Sequence, residues 1–267
     1  MTTAQPRTDP TQAPEQPTPQ DHTTGYETIA IPTGGRAVLV GKTGSGKSVL
    51  AARLIQHWRE SQPNPRVLVI DSKPRFKATH ELNGLPATRR YKKMLRGEQL
   101  PRSIVLPGNV HVGQAMQQVW NLKFDTALAQ IEDLGGINWL QAAIAWFYRD
   151  SSDKHQQLLY IDELADHFSS SGGYGRGNPI VQAIRSGRER NVAVMAATQR
   201  PTGVPQSFFS EASRVYLFKL RKAQDLKHLQ ESILPEDVRI PRCKHAFKLY
   251  DDEEETVGVY RLRLEEQ

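Results

Sequence analysis

RAVLVGKTGSGKS, residues 36–48, determines which architecture this chain of 267 residues adopts. Arg36–Val40 is a short apolar run beside glycines, and it predicts a buried parallel strand. Gly41–Ser48 matches G-x-x-x-x-G-K-[ST] at every fixed position, directly after that strand and at the start of an amphipathic helix. An ordinary glycine-rich turn would explain the glycines but not the Lys-Ser pair after them. The stretch therefore predicts a phosphate-binding loop.

Each residue type in this loop has its own physical reason. The glycines allow positive φ and a close approach of the backbone to phosphate oxygens. Successive N–H groups and the N-terminus of the next helix supply fixed positive dipoles. Lys47 is expected to reach the β- and γ-phosphates of ATP, and the Ser48 hydroxyl to ligate Mg²⁺. The predicted nucleotide-binding residues are Gly41, Lys42, Thr43, Gly44, Ser45, Gly46, Lys47 and Ser48.

Two acidic residues follow a second apolar run. Leu158–Ile161 predicts a buried strand, and Asp162 emerges at its C-terminal end, where parallel sheets bind ligands. Asp162 is expected to hold the hydration shell of Mg²⁺, and Glu163 to polarise a water for in-line attack on the γ-phosphate. Two surface acids starting a loop are the alternative. Consecutive Asp-Glu favours hydrolysis over transfer to a bound substrate, so an ATPase is expected rather than a kinase.

A third apolar run, Val192–Ala197, ends in the polar residues Thr198 and Gln199. Neighbouring strands of one sheet would place Gln199 near the γ-phosphate. Its amide could there hydrogen-bond the attacking water or the phosphate itself. Gln199 is therefore a third candidate catalytic residue beside Glu163.

Apolar runs alternate with helical patterns along the chain. This alternation predicts an α/β fold with a mostly parallel sheet and helices on both faces, closed at one edge by an antiparallel C-terminal hairpin. The predicted strands are Arg36–Val40, Arg66–Ile70, Ser103–Leu106, Gln157–Ile161, Val192–Ala196, Val215–Leu220, His245–Tyr250 and Thr256–Leu264. The predicted helices are Ser48–Glu60, Val112–Trp120, Phe124–Leu134, Trp139–Arg149, Pro179–Arg190 and Ala223–Ser232.

The charge is unevenly distributed. Residues 1–25 are rich in Pro, Thr and Gln and carry a balance of −2, so they are expected to form a disordered arm before one domain over 26–267. Residues 251–267 carry −5, which leaves +13 on residues 26–250 although the whole chain carries only +6. A basic body between acidic ends indicates a polyanionic partner, with general solubility as the alternative.

Two further features exclude classes of protein. Cys243 is the lone cysteine, which excludes a disulfide framework and suits a reducing cytoplasm. The longest apolar runs are the length of a strand, so no membrane span is expected.

Five motifs occur in a fixed order: Gly41–Ser48, Asp71-Ser-Lys-Pro74, Ile161–Glu163, Gly187-Arg188 and Ala197–Pro201. From Gly34 to Leu220 the chain resembles the FtsK/HerA superfamily of DNA-pumping ATPases, and Ala-Thr-Gln-Arg-Pro is the most specific part of the match. In size it resembles the genome-packaging ATPases of membrane-containing icosahedral phages. Asp71-Ser-Lys-Pro74 departs from the Asp-Pro-Lys common in relatives, which leaves the role of this element open.

The resemblance implies a RecA-like core and a homo-oligomeric ring, commonly a hexamer, that threads double-stranded DNA through its pore. It implies that Arg188 is an arginine finger reaching the ATP of a neighbouring subunit. Solvated or paired arginines are the alternative. It also implies capsid or portal vertex proteins as partners and a location in the host cytoplasm or on the virion.

The function indicated by these features is ATP-driven translocation of double-stranded DNA, most specifically viral genome packaging. A plasmid or chromosomal DNA-processing ATPase and a nucleotide-dependent assembly switch are the alternatives. The basic run Arg89–Arg96 and the glycine-rich loop Ser169–Gly177 are candidate DNA contacts. The alternative for the basic run is a solvated surface, and the alternative for the loop is a disordered connector.

Overall fold

The computed structural model describes residues 29–82, 97–106, 111–130, 137–151, 154–168 and 178–262. The arm expected over residues 1–25, the basic run Arg89–Arg96 and the loop Ser169–Gly177 lie outside these residues. The division into an arm and one domain over 26–267 therefore stays a prediction.

The described residues contain one large sheet. Their strands are β1 (Arg36–Val40), β2 (Pro65–Asp71), β3 (Phe76–Lys77), β4 (His80–Glu81), β5 (Glu98–Gln99), β6 (Ser103–Val105), β7 (Thr126–Gln130), β8 (Gln156–Ile161), β9 (Val192–Thr198), β10 (Arg214–Leu217), β11 (Ala246–Asp251) and β12 (Thr256–Arg261). Ten of these strands form the sheet, in the order β12-β11-β10-β1-β9-β8-β2-β7-β6-β4, while β3 and β5 pair separately.

Helices cover both faces of the sheet. Val38 and Val40 of β1 face one core, Ala37 and Leu39 face the other, and all four are fully buried. The helix α1 packs on the Ala37 side, and the other helices pack on the Val38 side. The described helices are α1 (Lys47–Ser61), α2 (Val112–Asn121), α3 (Ile137–Arg149), α4 (Pro179–Ser186), α5 (Gln206–Phe209) and α6 (Ala223–Gln230).

The strands from β1 to β10 that pair within the large sheet run parallel, and only the C-terminal hairpin is antiparallel. β11 pairs with β10 and β12 pairs with β11, both in the antiparallel sense. The predicted α/β fold, with its mostly parallel sheet, its helices on both faces and its antiparallel edge hairpin, is confirmed.

One predicted helix, Phe124–Leu134, is wrong, because β7 occupies the middle of this segment. This strand lies between β2 and β6, pairs with both in parallel, and is buried at every residue. Ala127 and Leu128 belong to opposite cores. Ala, Leu and Gln favour helices intrinsically, but pairing on both edges and burial on both faces outweigh that preference.

The helix predicted over Pro179–Arg190 is shorter than expected. Asn178 caps its start, where its Oδ1 accepts a hydrogen bond from the Ile180 N–H at 2.8 Å. A Cβ on Gly187 would lie 2.3 Å from the Ala183 carbonyl oxygen and 2.7 Å from that of Val192. The chain therefore turns closely at Gly187 and continues as a short 3₁₀ helix before β9.

Within the described ranges, no helix is long and apolar enough to cross a bilayer.

Substitutions in β7 test its burial on both faces. Leu128→Ala should lower the free energy of unfolding by about 2–5 kcal/mol by leaving a cavity. Ala127→Leu should lower it by about 1–3 kcal/mol through overpacking. Urea denaturation measures both, with Leu122→Ala as the control because Leu122 is exposed. A surface helix would place only one of the two adjacent positions in the core. An unchanged free energy of unfolding for either substitution would therefore contradict a strand buried on both faces.

Candidate active site

The phosphate-binding loop leaves the sheet between two neighbouring strands. The Gly41 N–H donates to the Thr198 carbonyl at the end of β9 at 3.2 Å, and the Lys42 N–H donates to the Lys219 carbonyl beyond β10 at 2.8 Å. These two bonds anchor the start of the loop at the carboxyl edge of the sheet, defined as the edge where the parallel strands end.

The three glycines of the loop serve two different purposes. Gly44 and Gly46 have φ of 74° and 106°, the left-handed region that favours glycine. Gly41 is not among the positive-φ residues of the described chain, so the expectation of positive φ at this position is wrong. A Cβ on Gly41 would lie 2.5 Å from the Cβ of Phe218, which is fully buried. Gly41 is therefore required for close packing against the segment after β10.

Lys47 curls back into the loop. Its Nζ donates to the Gly41 carbonyl at 2.6 Å and to the Lys42 carbonyl at 3.2 Å. Burial lowers the pKa of Lys47 to about 8, although the nearby Glu163 and Asp162 act in the opposite direction. A desolvated ammonium that faces open space beside the loop suits an anionic ligand.

A cavity of about 420 Å³ joins the loop to the other sequence-predicted residues. It brings together the phosphate-binding loop, the acidic pair after β8 and the residue after β9. Its lining comprises Thr43, Gly44, Gly46, Lys47, Ser48, Val49, Lys73, Arg75, Gly97, Glu98, Asp162, Glu163, Gln199 and His245.

Asp162 is buried at the end of β8. Burial, reinforced by the adjacent Glu163, raises the pKa of Asp162 to about 6, while Lys47 lowers it. The Tyr160 hydroxyl donates to Asp162 Oδ1 at 3.3 Å. Ser48 lines the same cavity, so a hydroxyl and a carboxylate oxygen share one space. Oxygen donors of this kind fit Mg²⁺, which keeps several of its waters.

Glu163 is held by Gln199 through two hydrogen bonds. The Gln199 backbone N–H donates to Glu163 Oε1 at 3.0 Å, and the Gln199 side-chain amide donates to Oε2 at 2.5 Å. The Thr43 hydroxyl donates to the Gln199 side-chain carbonyl. Glu163 itself has φ 49° and ψ 55°, a left-handed conformation that costs a non-glycine residue about 1 kcal/mol or more. Strain and hydrogen bonds therefore coincide at the predicted catalytic carboxylate.

The segment after β2 contains site residues that sequence reasoning missed. Lys73 lines the cavity, and its Nζ lies 3.9 Å from Glu163 Oε2 and 3.4 Å from Asp166 Oδ2. Arg75 and His245 line the same cavity. The signal in the sequence was Asp71-Ser-Lys-Pro74, a run that begins with the last residue of a buried strand.

Asp71 organises that segment from within the core. Its carboxylate accepts hydrogen bonds from the Arg75 N–H at 2.8 and 3.0 Å, from the Phe76 N–H at 3.0 Å and from the Gln130 amide at 3.0 Å. Burial raises the pKa of Asp71 to about 7 against the lowering effect of these donors. Asp71 therefore shapes the backbone that positions Lys73.

Arg188 does not lie at this cavity. It is exposed in the 3₁₀ helix before β9, whereas Gln199 follows the same strand. A seven-residue strand spans about 20 Å, so Arg188 lies at the opposite, amino edge of the sheet. Arg188 therefore lies remote from the cavity of its own chain.

A second cavity of about 620 Å³ continues from the first beyond Gln199. The two cavities share Thr43, Lys73, Glu163 and Gln199. The second cavity is strongly basic, because only Glu163 is acidic among its lining residues Lys42, Thr43, Lys73, Glu163, Gln199, Arg200, Lys219, Leu220 and Arg221.

Solved structures share this fold. The genome packaging NTPase B204 from Sulfolobus turreted icosahedral virus 2, in complex with ATP-gammaS, matches with a TM-score of 0.58 at 16% identity, over 86% of this chain and 98% of its own. B204, the DNA-packaging ATPase from Sulfolobus turreted icosahedral virus, matches with a TM-score of 0.59 at 14% identity. The match covers 87% of this chain and 99% of B204. VirB4 of Thermoanaerobacter pseudethanolicus matches with a TM-score of 0.50 at 12% identity, over 86% of this chain and 89% of VirB4.

These similarities concern the fold, which agrees with the superfamily that the motifs resemble. No family model matches the sequence, and no curated protein sequence matches it.

Two alanine substitutions separate close packing from backbone strain in the loop. Gly41→Ala should lower the free energy of unfolding by about 2–3 kcal/mol, because its Cβ overlaps the buried Phe218. Gly44→Ala should cost only about 1 kcal/mol, because nothing lies within 4 Å of its Cβ and only the left-handed φ opposes it. Urea denaturation of both variants measures the difference, and equal losses would contradict the assigned role of Gly41.

Proposed function

We propose that this chain is an ATP-hydrolysing translocase of double-stranded DNA, and specifically a viral genome-packaging motor. The observation that carries the proposal is the contact between Gln199 and Glu163 at the phosphate-binding loop. It joins a candidate base to a residue that can sense the γ-phosphate.

The loop supplies the nucleotide site of the proposed enzyme. Gly41–Ser48 would hold the phosphates of ATP through backbone N–H groups, and Lys47 would exchange its bonds to loop carbonyls for bonds to phosphate oxygens. Ser48 and Asp162 would hold Mg²⁺, directly or through its waters, and the ion would neutralise charge on the phosphates.

Glu163 would accept a proton from the attacking water. Its carboxylate is buried and fixed by two donors of Gln199, which leaves its remaining lone pairs to orient a water. Gln199 would sense the γ-phosphate, because its amide lies between the loop residue Thr43 and Glu163. A pure nucleotide switch does not require this pair, which favours the enzyme over an assembly factor.

DNA is the proposed polyanion. The balance of +13 over residues 26–250 suits contacts to a phosphate backbone without sequence preference. The fold is shared with B204, a DNA-packaging ATPase, along nearly all of its chain. The alternative of a plasmid or chromosomal DNA-processing ATPase has the same chemistry.

The proposed motor is a homo-oligomeric ring, with a hexamer as the expected size. The position of Arg188 at the amino edge supports a role across a subunit interface, because the residue is exposed and remote from its own cavity. Such a ring would dock on capsid or portal vertex proteins in the host cytoplasm.

The central experiment measures ATP hydrolysis with and without double-stranded DNA at low salt. We expect DNA to stimulate the wild-type rate and Glu163→Gln to reduce hydrolysis by about 100-fold or more while ATP still binds. The glutamine keeps the size of the side chain but cannot accept the proton.

Lys227→Gln is a suitable control in the same assay, because Lys227 is exposed on α6 and paired only with Glu231, the residue that follows the helix, among the contacts described. Absence of stimulation by DNA would contradict the proposed translocase activity. Unchanged hydrolysis by Glu163→Gln would contradict the proposed role of Glu163 as the base.

Mixing two inactive variants tests Arg188. Lys47→Ala should lose nucleotide binding, and Arg188→Ala should lose about 10³-fold in rate if its guanidinium stabilises the transferring phosphoryl group of a neighbour. Mixed rings should regain part of the activity, because an intact Arg188 then faces an intact Lys47 at some interfaces. Activity in the mixture that equals the sum of the separate proteins would exclude action across the interface.

A further inference from the structure

Lys73 lies at the junction of the two cavities at the carboxyl edge. Both cavities include it in their lining, together with Thr43, Glu163 and Gln199. Its side chain is 48% exposed, so its ammonium remains accessible to a ligand that enters either cavity.

The backbone beside Lys73 is fixed relative to the acidic pair. The Ser72 hydroxyl donates to the Asp162 carbonyl at 2.9 Å and lies 2.9 Å from His167 Nε2. On the other side of Lys73, the Asp71 carboxylate accepts the Arg75 and Phe76 N–H groups. Because the segment is bonded at both ends, the Cα of Lys73 is held next to the site while its four-carbon side chain can still rotate.

Two carboxylates lie beside the Lys73 ammonium. Asp166 Oδ2 lies 3.4 Å from Nζ, and Glu163 Oε2 lies 3.9 Å from it. Asp166 is also bonded to Arg200 at 2.8 Å, so it keeps a cationic partner if Lys73 moves away. The cost of releasing Lys73 is therefore small.

An ATP bound in the loop would change this balance. Its γ-phosphate carries more negative charge than either carboxylate, and the lysine ammonium is a compact charge with three donors on a flexible stem. Movement of Lys73 to the γ-phosphate would also remove a cation from Glu163, which then is free to take a proton from water.

We propose that Lys73 is a catalytic residue that exchanges its pairing with Glu163 and Asp166 for contact with the γ-phosphate when ATP binds. This inference rests on the proposed ATP hydrolysis. It gives the Asp71-Ser-Lys-Pro74 element the function of presenting a second phosphate-binding lysine beside Lys47.

The test compares the dissociation constants of ATP-gammaS and ADP, each with magnesium, by titration calorimetry. Lys73→Met, which removes the charge but keeps most of the unbranched side chain, should weaken ATP-gammaS binding by about 10-fold or more and leave ADP binding within about twofold. It should also reduce kcat by about 10- to 100-fold. Lys73→Arg should restore most of the selectivity for the triphosphate, because it restores the charge.

Lys227→Met controls for the loss of one surface cation. Thermal unfolding checks the fold of each variant, and Lys73→Gln replaces the methionine variant if that one unfolds. Equal changes in the dissociation constants of ATP-gammaS and ADP, or no change in either constant, would overturn the inference. A fall in kcat without a selective loss of triphosphate binding would also overturn it. If the wild type hydrolyses ATP while the variants give those results, only the role of Lys73 fails. If the wild type neither binds nor hydrolyses ATP, the proposed function fails.

Discussion

The geometry of the site depends on β9 lying between β1 and β8 in a parallel sheet. The pairing places Val40 opposite Thr198 and Ile161 opposite Ala196, so the residues that follow these strands meet at one edge. A slip of one residue would turn each side chain of β9 to the other face of the sheet. Strand register, rather than the conformation of any single loop, therefore brings the phosphate-binding loop, the acidic pair and Gln199 together.

The same arrangement concentrates buried charge at this edge. Burial is the largest cause of the pKa shift of three groups in a direction that favours the uncharged form. It lowers the pKa of Lys47 and raises the pKa values of Asp71 and Asp162. Desolvated charges are costly unless a partner offsets them. At Asp71 the partners are hydrogen-bond donors of the chain itself, whereas Lys47 and Asp162 face the cavity. Lys47 donates to two loop carbonyls and Asp162 accepts from Tyr160, so the chain offsets part of the cost, and a ligand with phosphate and a divalent cation would supply further partners from the cavity.

The sequence allowed the fold and most of the cavity to be predicted, because the decisive residues lie in short local patterns such as Gly41–Ser48. β7 was missed because Ala127 and its neighbours favour helices intrinsically, and only pairing with β2 and β6 makes them a strand. Lys73 was missed for a different reason. Its place at the cavity is shown by its contacts with Glu163 and Asp166, about ninety residues further along the chain, and no local pattern contains that proximity.

Rigidity is distributed unequally among the residues that line the first cavity. Glu163 has a left-handed backbone, its carbonyl accepts the Asp166 N–H at 2.9 Å, and its carboxylate is bonded twice to Gln199. Lys47 and Lys73, by contrast, end flexible side chains whose present partners are carbonyls and carboxylates that a phosphate can replace. The backbone around the proposed base is therefore fixed by the protein itself, whereas the two ammonium groups can exchange their present partners for phosphate oxygens.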